Sequence, residues 1–129
     1  MQQNTYYNYK KGINELKKAS KSFPNGSGVY KFMGCHNEPL YVGKAKNLKK
    51  RISSYLDENR QNRRIKTLIS LTNSLNFIKT PNEVDSLILE NNLIKELKPR
   101  FNIRLMDDKS FPYISISTGS LWPRIRKYR

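Results

Sequence analysis

The chain has 129 residues, enough for one compact domain with a core and too few for two domains of ordinary size. It carries 25 Lys and Arg against 10 Asp and Glu, a formal charge of +15, and such an excess favours a polyanionic partner with nucleic acid first in rank. A single cysteine, Cys35, excludes an internal disulfide framework and suits a reducing cytoplasm. Residues 1–11 lack the apolar stretch of a signal peptide, and no segment approaches the roughly 18 apolar residues of a membrane span. The basic residues do not follow a long amphipathic helix, so a membrane partner ranks well below DNA.

Ile13, Leu16 and Ala19 predict a leading helix over residues 10–22, weakened by Gly12 and broken by Phe23-Pro24-Asn25-Gly26. Residues 28–33 and 40–44 predict a hairpin around Gly34-Cys35-His36-Asn37-Glu38-Pro39. Asn47 is placed to cap a helix bearing Leu48, Ile52, Tyr55 and Leu56, and a second helix carries Ile65, Leu68 and Ile69. A strand is expected over residues 75–80, then a long helix capped by Asn82, bearing Leu87, Ile88, Ile94 and Leu97, and stopped by Pro99. Residues 101–105 and 113–117 read as short strands, and residues 121–129 as a basic tail. The order predicts an α+β domain, a small sheet flanked by helices. Its expected divisions are a polar segment and helix over 1–23, the main domain over 24–105, and a strand and basic tail over 106–129.

Residues 44–66 hold nine basic and two acidic side chains. Lys46, Lys49, Lys50, Arg60, Arg63, Arg64 and Lys66 can form a phosphate-binding face or a solvated helix surface, and the charge of the whole chain favours the first. If Met33 pairs with Leu40, Tyr30 lies opposite Gly43 and Tyr41 projects from the same face. Gly43 then leaves room for a phosphate or water to approach; ordinary aromatic packing is the alternative. In a helix, Glu90 neighbours Leu87, Leu93, Ile94 and Leu97, an apolar setting in which a carboxylate needs a cationic partner or must reach out to water. Arg51 and Tyr55, four apart, share a helix face, so that Arg51 can present its fork to a phosphate. His36 reads as a turn residue, and no zinc spacing, Walker loop or dinucleotide fingerprint is present.

Gly28-Val29-Tyr30 followed by Tyr41-Val42-Gly43-Lys44 is similar to the paired motif of the GIY-YIG nucleases, with valine for isoleucine in both halves. Residues 45–55, Leu87-Ile88-Leu89-Glu90-Asn91-Asn92-Leu93-Ile94-Lys95, Lys98-Pro99-Arg100-Phe101-Asn102 and Asp107-Asp108-Lys109-Ser110-Phe111-Pro112-Tyr113 resemble the UvrC branch of that family. The likeness runs from about Pro24 to Ser117. It implies a central antiparallel sheet flanked by helices, one Mg²⁺ or Mn²⁺, and hydrolysis of one DNA strand. By motif it makes Tyr30 and Tyr41 active-site tyrosines, Lys44 and Arg51 cationic contacts, Tyr55 a supporting residue, Glu90 the metal ligand and Asn102 a positioning residue.

The resemblance also implies incision on the 3′ side of a lesion during nucleotide excision repair. UvrA and UvrB are the implied partners, with the UvrB-binding segment outside these 129 residues. The phenol expected to act as base is Tyr30 or Tyr41, with Lys44 beside it favouring the phenolate. A stand-alone repair or structure-specific nuclease and a non-catalytic DNA-binding module are the rival readings.

Overall fold

The computed structural model describes residues 2–102, with side chains from Asn8 onward; the strand expected over 113–117 and the basic tail lie outside the described residues. Helix α1 runs from Gln2 to Ser22, longer at its N-terminus than the periodicity predicts. Gly12 explains why a residue that weakens a helix sits inside one. Helix α3 (Arg63–Leu71) crosses so close that a Cβ at position 12 would run into the Ile69 carbonyl. The glycine permits the contact that buries Leu16 and Ile69 completely.

Strands β1 (Gly28–Met33) and β2 (Pro39–Ala45) form the hairpin, and β3 (Ser74–Lys79) pairs with the other edge of β1, giving the antiparallel order β2-β1-β3. Tyr30 pairs with Gly43 as expected, but the register breaks between Phe32 and Met33, so that Met33 faces Pro39 instead of Leu40. The turn causes the slip: Gly34 N–H donates to the Glu38 carbonyl at 2.8 Å, Asn37 is left-handed at φ 63°, and Leu40 becomes the extra residue of a bulge.

Helices α2 (Leu48–Ser54), α3 and α4 (Glu83–Leu97) all start on an asparagine. The side-chain oxygens of Asn47, Asn62 and Asn82 accept from the N–H groups of Lys50, Ile65 and Asp85 at 3.0, 2.8 and 2.8 Å, satisfying donors that a helix start leaves orphaned. A 3₁₀ turn (Glu58–Arg60) lies between α2 and α3. Lys98 ends α4 in the left-handed region at φ 47°. Residues 100–102 then turn helical, which corrects the first two positions of the strand expected over 101–105; the remainder lies outside the described residues. Pro99 suits the first turn of a helix, and this turn brings Phe101 into the core at 4% exposure.

One face of the sheet, carrying Tyr30, Phe32 and Ala45, packs on Leu16, Ala19 and Phe23 of the α1 region, Leu48, Ile52 and Tyr55 of the α2 region, and Leu68 and Ile69 of α3. The other face buries Val29 and Val42 completely, and α4 lies mainly on β2 and β1. Elements on both sides of the sheet therefore meet at the outer edge of β2.

Candidate active site

The ladder sets Tyr30 against Gly43, and the space over Gly43 is filled. A Cβ there would come within 2.6 Å of the Tyr30 hydroxyl oxygen and 3.0 Å of Tyr41 Cε2. The glycine makes room for the phenol of its own neighbour, which corrects the expectation of an opening for phosphate or water. Tyr41, two residues before Gly43, points to the same face, with its ring 6.2 Å from that of Tyr30.

Helix α2 begins just after β2 and delivers the next groups. Arg51 donates from Nε to the Tyr30 hydroxyl at 3.2 Å and from Nη2 to the Tyr55 hydroxyl at 3.4 Å, while the two phenolic oxygens lie 2.7 Å apart. Tyr30 and Tyr55 carry two hydroxyl hydrogens, and the bond between them uses one. Two of the five guanidinium N–H groups are engaged, and Arg51 itself is exposed at the rim.

Burial pushes the Tyr30 hydroxyl far above the ordinary phenol range; the neighbouring Tyr55 adds to this and Arg51 opposes it without prevailing. Burial likewise raises Tyr41, reinforced by Tyr30 and by the negative charge of Glu90 against the pull of Arg51. Tyr55 is pushed up to about 12, chiefly by burial. A cation was expected to favour a phenolate; it is present, but desolvation outweighs it. It is also a different cation. Strand alternation turns Lys44 to the face opposite Tyr41 and Gly43, and the group against the phenols is Arg51.

Lys44 contributes its backbone instead. Its N–H donates to Glu90 Oε2 at 3.0 Å, joining α4 to the edge of β2. Glu90 is half-buried, and of the apolar stripe expected beside it Leu93, Ile94 and Leu97 are half-buried while Leu87 is 44% exposed; Ser86 is the buried residue of α4. The helix meets the sheet on a narrower face than its leucines suggested, and an edge N–H rather than a side-chain cation compensates the carboxylate. Asn102, 8% exposed, completes that edge: its Oδ1 accepts from Val42 N–H at 2.8 Å and its Nδ2 donates to the Val42 carbonyl at 2.9 Å. Both its amide groups are engaged, so Asn102 fixes β2 without reaching the hydroxyl cluster.

The basic run separates in space. Lys44, Lys46, Lys50 and Arg51 line an open hollow at the junction of β2 and α2. Lys49, Lys50 and Arg60 line a second with Ser53 and Ser54, where Lys49 donates to the Lys21 carbonyl at 3.0 Å and Arg60 pairs with Asp57 at 3.5 Å. Lys46 lies 4.0 Å from Glu83 in an exposed pair. Arg63 and Lys66 line a different hollow with Asn8, and Arg64 is half-buried on α3. Sequence reasoning passed over Gln61, which is 8% exposed and bonded to both Tyr9 and the Tyr55 backbone. A glutamine in a polar loop carries no local signal of that role.

Among the described residues no three His, Cys, Asp or Glu side chains gather. Glu90 bonds to protein through one oxygen, Oε2. A single carboxylate fits a hard cation that keeps most of its waters, such as Mg²⁺ or Mn²⁺, and does not suit zinc.

A sequence model of the UvrC-like GIY-YIG domain matches residues 26–103. UvrABC system protein C of Hyphomonas neptunium is 46% identical over 119 residues, covering 92% of this chain and 19% of the relative. The protein of the same name from Nitrobacter hamburgensis is 48% identical over 115 residues, covering 88% and 16%. The chain thus spans about a fifth of the length of these curated relatives. The solved GIY-YIG N-terminal endonuclease domain of UvrC from Thermotoga maritima, bound to its catalytic magnesium, is similar with a TM-score of 0.61 and 35% identity, over 67% of this chain and 93% of that one. Sequence and α+β fold agree, and the chain belongs to the family of UvrC-like GIY-YIG domains.

Proposed function

We propose that this chain is the endonuclease unit of an excision-repair nuclease and hydrolyses one DNA phosphodiester on the 3′ side of a lesion. The observation that carries the reading is the meeting of Arg51 and Tyr55 of the α2 region with Tyr30 of the central strand within hydrogen-bond distance, beside the neighbouring edge strand β2 whose Lys44 N–H holds Glu90. Arg51 directs its remaining N–H groups to the scissile phosphate. It gains strength as charge grows on the phosphoryl oxygens, the differential binding that accelerates a step.

Tyr30 and Tyr55 are 1% and 7% exposed and hold Arg51 in place, whereas Tyr41 is only partly buried and is the phenol of the three that can meet a water. Tyr41 orients that water through its oxygen lone pair. Glu90 would hold Mg²⁺ or Mn²⁺, which when bound would supply charge neutralisation at the phosphate and at the departing 3′ oxygen. Lys44, Lys46, Lys49, Lys50 and Arg60 draw the flanking phosphates onto α2, while Arg63, Arg64 and Lys66 extend the attraction over α3. Asn102 keeps β2 in register beneath Tyr41.

The reading places the chain in the cytoplasm, acting on duplex DNA after UvrA and UvrB have located the damage; among the described residues no helix is long and apolar enough to cross a membrane. Incubation of the chain with lesion-bearing duplex and Mg²⁺ or Mn²⁺ tests it. Nicking that needs the ion and disappears in Glu90→Gln supports the reading; ion-independent nicking, or full activity in Glu90→Gln, refutes it.

A further inference from the structure

Helix α2 has only seven residues, yet it places both Arg51 and its cap residue Tyr55. A helix end leaves carbonyls without intrahelical partners, and in so short a helix an unanchored last turn frays. Here Gln61 supplies the anchor. The chain folds back through the 3₁₀ turn, closed by Gln61 N–H on the Glu58 carbonyl at 3.1 Å, and Gln61 Nε2 donates to the Tyr55 carbonyl at 2.7 Å. Its Oε1 accepts from the Tyr9 hydroxyl at 2.6 Å, 52 residues away on α1. A donor at one end and an acceptor at the other are both required, which an amide supplies and neither a carboxylate nor a thioether does.

We propose that Gln61 is a positioning residue for strand cleavage: by locking the Tyr55 backbone to Tyr9, it fixes the distance at which the Tyr55 phenol meets Tyr30 and Arg51. The inference rests on the functional reading above. The Tyr55 ring is seated at 5.1 Å from Phe32, so a shift of its backbone is transmitted to its hydroxyl and from there to the guanidinium. Misplacement of that kind lowers turnover without removing any group that touches DNA.

The test is a double-mutant cycle on the full chain, with nicking of a lesion-bearing duplex in Mg²⁺ as the readout. Gln61→Met is expected to lower kcat about tenfold and to leave KM within about twofold, by the sensitivity of turnover to orientation. In a Tyr55→Phe background, with the hydroxyl gone, the same change should add no further loss. Multiplying losses in the double variant, or an unchanged kcat in folded Gln61→Met, overturns the proposal. Should Gln61→Met fail to fold, Tyr9→Phe completes the same cycle and must show the same non-additivity. Full activity in Tyr55→Phe overturns the functional reading of Tyr55 and this inference with it, whereas a slow Tyr55→Phe beside a fast Gln61→Met overturns this inference alone.

Discussion

The Tyr30 hydroxyl lies where a side chain at position 43 would begin, 2.6 Å from an added Cβ. Tyr30 is also bonded to Tyr55 and Arg51, so it cannot swing aside without breaking both contacts. Gly43→Ala should therefore destabilise the domain by about 1–3 kcal/mol, the usual cost of overpacking, and abolish nicking. Thermal melting and a nicking assay on the same preparation check this; an alanine variant with normal Tm and normal turnover would show that the phenol has room to move.

Arg51 bonds two buried phenols and lines the open hollow. Arg51→Lys keeps the charge but loses the fork, so kcat is expected to fall by about 10²-fold or more, as for removal of a transition-state donor, with DNA affinity within about threefold. Single-turnover kinetics beside equilibrium binding separates the two quantities.

Folding raises the hydroxyl pKa of Tyr30, Tyr41 and Tyr55, in each case chiefly through burial. For a raised pKa the stability is fully present below the unfolded value, near about 10, and is lost as pH rises toward the folded one. Unfolding free energy should thus hold steady up to that pH and fall above it, since the unfolded chain releases phenolic protons that the folded chain retains. Denaturant melts across the alkaline range, followed by phenolate absorbance, give the slope. Tyr55→Phe should make it shallower.

Asn102 satisfies both the N–H and the carbonyl of Val42. Asn102→Ala leaves two edge groups without partners and should cost about 1–3 kcal/mol, with faster amide exchange at Val42 and Lys44 as β2 loosens. Hydrogen exchange by mass spectrometry reads this directly. Exchange unchanged at those two residues would remove the positioning role.

What the sequence by itself determined is local. The asparagine caps at Asn47 and Asn82, the hairpin, the pairing of Tyr30 with Gly43 and the long helix after Asn82 were legible because capping, strand alternation and helical period act over a few residues, whereas the third cap, Asn62, emerged only from the structure. The likeness of Gly28-Val29-Tyr30 and Tyr41-Val42-Gly43 to a nuclease motif added the membership of Glu90 and Asn102, which no spacing could have joined to the hairpin.

Tertiary structure alone decided what each group meets. Gly12 and Gly43 serve contacts with Ile69 and Tyr30 that neither glycine announces, and Glu90 accepts from the Lys44 N–H at the edge of β2 while Leu87 and Ile88 of the same helix stay exposed. Whether a cation or burial governs the phenols depends on depth below the surface, a property of the packed fold and of no short stretch of chain.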